Sequence, residues 1–156
     1  MPDLFLSVKL IHILAIIVMV GATVINGVIH SHARASTPVE TAALLKVVTR
    51  INAVFMGPSL LAIPASGMWM MVLRGYDWRT GWLLSSITLT LALLVAFLVG
   101  DRVERKLHVI ASKASAAAQL GLPDLYQTTF AKAAPIGGAA LMSSLVTLIL
   151  MIFKPF

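Results

Sequence analysis

Four long apolar segments constrain this chain more than any other feature of its sequence. They cover residues 10–29, 51–73, 82–100 and 133–153, and none of them contains Asp, Glu, Lys or Arg. About 20 apolar residues suffice for a helix to cross the hydrocarbon core of a bilayer. A helix also satisfies its own backbone hydrogen bonds, which lipid cannot do. The sequence therefore predicts an all-α fold, an integral membrane four-helix bundle formed by residues 1–156 as a single domain.

Composition supports lipid as the solvent and excludes several chemistries. Hydrophobic residues make up 59% of the chain and charged residues only 12%, whereas soluble domains carry about a quarter charged residues. The net charge is +6, but the basic residues lie at the ends of the apolar segments, so we predict no nucleic-acid partner. The absence of cysteine excludes disulfides, thiolate catalysis and iron–sulfur clusters. We interpret the first apolar segment as a retained spanning helix because no signal-peptide cleavage site follows it.

The helices should continue beyond the bilayer on one side. The segment TPVE at residues 37–40 has the pattern of a capping box, so the second helix should begin near Pro38. The charged segment that follows Gly100 reads as a continuation of the third helix, and Asp124 should cap the fourth. These features predict helices that extend into the cytoplasm.

The distribution of basic residues predicts the orientation. Eight of the 12 Lys and Arg residues lie in the first and third connections. The positive-inside rule then places these connections in the cytoplasm and both termini outside. Small residues recur every fourth position at Ala92, Ala96 and Gly100, which favours close contact within the bundle or a homodimer interface. Aromatic residues cluster at the opposite interface: Trp69, Tyr76, Trp78 and Trp82.

The first helix carries ionisable groups inside an apolar run. Lys9 and His12 are one turn apart, and Lys9 is close enough to the helix end to reach the headgroups. His12 is deeper and shorter, and an intramembrane ionisable residue is a functional-site hypothesis by default. Either a neighbouring Ser or Thr hydroxyl satisfies a neutral His12, or His12 binds a metal or haem. His12 begins a polar stripe that should face the bundle interior: His12, Met19, Thr23, Asn26 and His30.

The types and positions of the other residues favour haem over other chemistries at His12. All six acidic residues lie outside the apolar segments, which disfavours a carboxylate-bridged metal site, a Ser-His-Asp hydrolase and a proton relay. A haem needs an axial ligand, an apolar slot and cations near its propionates. We therefore predict a haem with His12 bound to the iron and with Arg74 and Arg79 near the propionates. One of Met68, Met70 and Met71 offers a sixth ligand, and a five-coordinate haem with His12 alone is equally compatible. Packing is the alternative for the methionines and interface anchoring for the arginines.

The other histidines are too far away to share that haem. His30 lies about 27 Å from His12 along the helix. We interpret His30 and His32 as a solvated helix end, with a metal or second cofactor as the alternative. His108 follows the third apolar segment and is interpreted as solvated or interfacial.

Two resemblances extend this interpretation. The leading segment VKLIHILAIIVMVG resembles the Lys-x-x-His helix of small bacterial four-helix membrane families, including haem-containing membrane protoporphyrinogen oxidases and the membrane domains of copper-resistance proteins. The oxidase resemblance implies haem b on His12, Lys9 near haem or substrate carboxylates, a location in the bacterial cytoplasmic (inner) membrane, oligomerisation and, for an enzyme, two-hydrogen oxidation of a porphyrinogen. The segments SGMWMMVLRGYDWRTGWLLSSI, LPDLYQTTF and MIFKP resemble a family of predicted integral membrane proteins of unknown function, over nearly the whole chain.

The leading functional hypothesis is a haem b-binding protein of the inner membrane with an electron-transfer or redox role and His12 as axial ligand. The first alternative is a cofactor-free accessory or assembly subunit of a larger membrane complex. The second is a copper-handling membrane protein that uses His and Met ligands. Each hypothesis includes the lipid bilayer as a partner, together with a homo-oligomer or a larger membrane complex.

Overall fold

The computed structural model describes residues 2–155, which form five α-helices and one π-helical turn without any strand. The elements are α1 (Pro2–Ala33), α2 (Pro38–Ile51), the π turn (Asn52–Met56), α3 (Gly57–Arg74), α4 (Gly81–Ala116) and α5 (Asp124–Phe153). Because α2, the π turn and α3 are continuous, the chain has four helical rods, each long and apolar enough to cross a membrane. The predicted all-α fold with four spanning helices is confirmed.

At one end of the bundle the helices run beyond their apolar segments, and we call this the extended end. Thr37 caps α2 there: its side chain accepts a hydrogen bond from the Glu40 backbone, and the Glu40 carboxylate accepts one from the Thr37 backbone at 2.9 Å. The predicted capping box is confirmed, and such a cap stabilises a helix by about 1 kcal/mol. The predicted cap at Asp124 is wrong, because extended Pro123 is the last residue before α5 and Asp124 lies in the first turn. Its carboxylate is still favourable at that end of the helix dipole.

A packed core lies within the extended end, outside the four apolar segments. Its centre consists of Leu45 from α2, Leu107 and Ala111 from α4, and Tyr126 from α5, and all four side chains are at most 1% exposed. The Tyr126 hydroxyl is buried there without a hydrogen-bond partner. This core joins three of the four rods beyond the region where lipid could hold them together.

The opposite end, which we call the aromatic end, joins α5 to the connection between α3 and α4. Lys154 donates a hydrogen bond to the Tyr76 hydroxyl at 3.1 Å and lies over the rings of Tyr76 and Trp82. Gly75 ends α3 in the left-handed conformation (φ 64°), which glycine adopts without a steric penalty. These contacts close the bundle at the end opposite the capping box.

Between the two ends, apolar side chains both fill the bundle and cover its outside. Ala15 and Met19 of α1 pack against Leu60, Ile63 and Leu93 in the centre. Many large hydrophobic side chains are more than half exposed on the outer faces, among them Leu10, Ile17, Leu61, Val72, Leu91 and Ile149. Exposed apolar surface of this extent is characteristic of a protein whose outer faces contact a membrane.

Candidate functional site

His12 lies inside the bundle and faces α3, as the polar stripe predicts. Its side chain is only 5% exposed, and its Nδ1 lies 3.0 Å from the Ile63 carbonyl oxygen and 2.9 Å from the Ser66 hydroxyl. Because a carbonyl oxygen only accepts, Nδ1 carries the proton and Nε2 keeps its lone pair. The ring packs closely on Gly67, where an added Cβ would lie 3.4 Å from Cε1. The bond to Ser66 is the one that the cofactor-free interpretation of His12 predicts.

The other residues predicted to hold haem lie at the surface. The Lys9 side chain is exposed, and Met68 is 66% exposed. Arg74 and Arg79 are also exposed, and each guanidinium lies over a neighbouring aromatic ring, 4.0 Å and 5.3 Å from the ring centroid. The contacts of these four side chains are therefore surface contacts, whereas His12 is buried.

A second polar site lies at the extended end of the apolar segments, and we call it the polar network. It consists of five side chains from α1, the π turn and α4: Asn26, His30, Asn52, Asp101 and Glu104. Asn26 Nδ2 donates to the side-chain oxygen of Asn52, Oδ1, at 2.8 Å. The side-chain NH₂ of Asn52 donates to Asp101 at 3.4 Å and to Glu104. His30 Nε2 lies 3.2 Å from the other Glu104 oxygen. The network thus connects three elements and returns to α1.

The acceptors of this network fix the direction of its hydrogen bonds. Carboxylates only accept, so the Asn52 NH₂ must face Asp101 and Glu104, and its carbonyl oxygen must face Asn26. Asn26 therefore donates its NH₂ to Asn52 and retains a buried carbonyl oxygen without a partner. His30 Nδ1 is likewise buried without a partner, since Nε2 is the atom that faces Glu104. A buried polar atom left unpaired costs about 1–3 kcal/mol, so each calls for an explanation.

The π turn places Asn52 in the network. Within it the Gly57 backbone N–H donates to the backbone carbonyl oxygen of Asn52, five residues back, whereas an α-helical N–H donates to the carbonyl four residues back. Pro58 follows directly and lacks an N–H, so it could not donate to the carbonyl four residues before it. π turns inside α-helices are frequent at functional sites. Here the widened turn buries the Asn52 side chain to 2% exposure between α1 and α4.

A cavity of about 630 Å³ adjoins the polar network. It forms because α1 packs mainly on α2 and α3 while α5 packs mainly on α4, which leaves space between α1 and α5. All five residues of the network line its polar end together with Arg34, whose guanidinium lies 4.8 Å from the Phe130 ring centroid. Apolar residues and glycines form most of the remaining wall, including Met19, Val24, Gly27, Leu93, Phe97, Gly137 and Leu141, and the hydroxyl side chains of Thr23, Ser31 and Ser144 also line it.

The cavity reaches the outer face of the bundle beside α1. Val24 and Val28 line it and are also 48% and 54% exposed. From Met19 to Ser31 the cavity wall follows α1 for about 18 Å at 1.5 Å per residue. A largely apolar space of this volume, with a few convergent polar groups at one end, has the usual features of a small-molecule site.

Two predictions were made for His30, and Asn52 and Glu104 were not singled out from the sequence. The prediction that His30 belongs to the inward polar stripe agrees with its side chain, which is only 13% exposed because α4 continues past the bilayer and places Glu104 against it, and the prediction of a solvated His30 is wrong. His32 is exposed as predicted, and His108 is partly buried. The available signal was an asparagine in each of the first two apolar segments, since polar side chains there are costly without a function or a partner. Within residues 2–155, no three His, Asp or Glu side chains cluster as metal ligands would.

Comparison with known proteins gives the chain a family. The sequence model of the family described as Predicted integral membrane protein (DUF2269) matches residues 6–155. The chain therefore belongs to this family, which confirms the resemblance found over nearly the whole sequence. The comparison gives no support for the resemblance to protoporphyrinogen oxidases or copper-resistance proteins. No curated protein and no solved structure matches the chain.

Proposed function

We propose that this member of the DUF2269 family of integral membrane proteins binds an amphipathic small molecule within the bilayer. The apolar body of the molecule occupies the cavity between α1 and α5, and its polar head contacts the polar network. One observation carries the proposal: a cavity of about 630 Å³ ends on buried Asn26 and partly buried His30, and each of these keeps a buried polar atom without a partner.

The bilayer is the source of such a molecule. The half-exposed Val24 and Val28 mark where the cavity meets the outer face of the bundle, so a lipid-like molecule can enter sideways from the membrane. With the first and third connections in the cytoplasm, the polar network lies near the inner headgroups, at the depth where an amphipathic molecule keeps its head. In this function the protein holds or carries the molecule and catalyses no bond change.

Filling the cavity tests this function. Gly27 and Gly21 lie on α1, and an added Cβ at either position meets no atom within 4 Å, but only Gly27 lines the cavity. We expect Gly27→Leu to weaken binding of an oleoyl-chain probe, 1-oleoylglycerol, at least tenfold because the new side chain occupies the cavity. Native mass spectrometry of the protein in detergent micelles measures the bound fraction.

The matched control is Gly21→Leu, which adds the same side chain to the same helix outside the cavity and should leave binding unchanged. Circular dichroism establishes that both variants keep their helices. If wild-type protein binds no oleoyl-chain probe, or if both variants bind it equally, the proposed function is wrong.

A second candidate function is the haem-dependent redox role predicted at His12. The Ile63 carbonyl favours it, because a histidine that donates Nδ1–H to a backbone carbonyl presents Nε2 to a metal in the correct tautomer. The surroundings do not fit a porphyrin: the ring is 5% exposed and packs on Gly67, and the cavity beside the polar network does not include His12. Met68 and the two arginines face outward as well. We therefore place this function second and assign no step to the haem.

An absorption spectrum separates the two candidates. Haem on His12 predicts a Soret band in the purified protein that disappears in His12→Ala and persists in His30→Ala, where the histidine of the polar network is removed. A colourless protein after expression with added haem precursor, with full helicity, would contradict haem binding and leave the amphipathic-ligand proposal intact.

A further inference from the structure

Building on the proposed function, we infer the chemical class of the head group: it is uncharged and carries at least two hydroxyl donors, as in the glycerol head of a monoacylglycerol. The polar network and its charge balance carry this inference. It narrows the ligand from amphipathic molecules in general to neutral lipids that bear a pair of hydroxyl groups.

Two polar atoms at the end of the cavity lack a partner, and both can accept hydrogen bonds. Asn26 Oδ1 is an acceptor by chemistry, and His30 Nδ1 is an acceptor when the proton sits on Nε2, facing Glu104. Both side chains line the cavity, and Asn26 is 95% buried. The ligand must therefore supply two hydrogens. A ketone, ester or ether head offers only acceptors and would leave both atoms unpaired.

The spacing of Asn26 and His30 suits a head with two neighbouring hydroxyl groups. Asn26 and His30 are four residues apart on α1, so they lie on the same face about 6 Å apart along its axis. A hydroxyl oxygen sits about 2.8 Å from the atom it donates to. Two hydroxyl groups on adjacent carbons can therefore reach both acceptors from one short head, whereas a single hydroxyl has only one hydrogen to give.

Charge at the polar end decides against an ammonium head. Both carboxylates there already have donors: Asp101 accepts from Arg105 Nε at 2.8 Å and from Asn52, and Glu104 accepts from Asn52 and His30. An ammonium would supply enough hydrogens but would find both carboxylates already hydrogen-bonded and would meet the guanidinium of Arg34, which also lines this end of the cavity. An uncharged head satisfies the acceptors without this repulsion.

Three probes with the same C18 chain test the inference on the full chain in detergent micelles. These are 1-oleoylglycerol with two hydroxyls, methyl oleate with no donor, and oleylamine with an ammonium head. We expect 1-oleoylglycerol to bind about tenfold more tightly than methyl oleate and oleylamine, since two modest hydrogen bonds together give about this factor. The readout is the bound fraction in native mass spectrometry titrations.

Variants of similar shape assign the preference to the two acceptors. Asn26→Leu and His30→Phe should each reduce the tenfold preference to about threefold, and the double variant should abolish it. Thr147→Val is the control, because it removes a buried hydroxyl that bonds its own helix outside this cavity, and it should retain the full preference. If a variant fails to fold, the comparison of probes on wild-type protein still decides.

Each outcome has a separate meaning. Equal binding of all three probes overturns the inference, since the two acceptors then make no use of ligand donors, and leaves the proposed function standing. Tighter binding of oleylamine also overturns it, in favour of a cationic head. Failure of every probe to bind wild-type protein overturns the proposed function itself.

Discussion

Replacement of Asn52 by leucine should destabilise the bundle by about 3–5 kcal/mol. Asn52 is 2% exposed and bonds to Asn26, Asp101 and Glu104. Leucine has a similar volume but neither donor nor acceptor, so the variant leaves the partly buried Glu104 carboxylate with one donor fewer and the buried Asn26 amide without its acceptor, and these losses account for most of the cost. Equilibrium unfolding in mixed detergent micelles, followed by circular dichroism, measures the change in free energy.

A double variant separates this mechanism from a packing defect. If the donor lost to the Glu104 carboxylate is the cause, Asn52→Leu combined with Glu104→Leu should be about 1–3 kcal/mol more stable than the sum of the two single variants, because neighbours in one network couple. Simple additivity would show that the leucine merely fits poorly within the π turn. A wild-type stability for Asn52→Leu alone would show that the network contributes nothing to folding.

The extended end should also contribute strongly to stability. Leu45→Ala removes a side chain that is 0% exposed and packs with Leu107, Ala111 and Tyr126. We expect a loss of about 2–5 kcal/mol, the range for leucine truncation in a packed core. The same unfolding measurement in micelles applies, since this core lies outside the apolar segments and holds together α2, α4 and α5.

Leu125→Ala provides the matched control on the neighbouring position of α5. Leu125 is 56% exposed, so its truncation should change the free energy of unfolding by less than about 0.5 kcal/mol. Equal losses at Leu45 and Leu125 would contradict the assignment of a packed core to the extended end.

Much of the fold follows from sequence because its signals are local. The four apolar segments, the capping box at Thr37 and the inward stripe that contains His12 and Asn26 each depend on residues within a few turns of one another. The structure agrees with all of them. The Asp124 cap failed because Pro123 decides the first turn of α5 through its own backbone conformation.

The polar network could not be predicted in the same way because its members are distant in sequence. His30 and Glu104 are 74 residues apart, and Asn52 and Glu104 are 52 apart. Nothing local to Glu104 distinguishes it from an acid on a solvated helix extension. Whether Glu104 joins the network depends on how far α4 continues past the bilayer. It also depends on the direction in which the π turn points the Asn52 side chain. From the sequence, His12 was therefore predicted to be the main cofactor site.

The alternatives that concern partners stay predictions. The outer faces contact lipid, but a homo-oligomer, an accessory role in a larger complex and a copper-handling role rest on sequence patterns alone. The small-residue row at Ala92, Ala96 and Gly100 illustrates the point: Ala96 and Gly100 line the cavity between α1 and α5. This places part of the row on the inner side of the bundle.

The pairing of polar groups on α1 follows the order in which the chain is synthesised. His12 bonds to α3, and Asn26 bonds to Asn52 in the π turn, so both partners belong to the second rod to leave the ribosome. A hairpin of the first two rods therefore already contains a partner for the His12 imidazole and for the Asn26 NH₂. Asp101 and Glu104 come later in the chain and accept the remaining amide hydrogens of Asn52. The pairing of these two α1 side chains thus needs no residue of the C-terminal half.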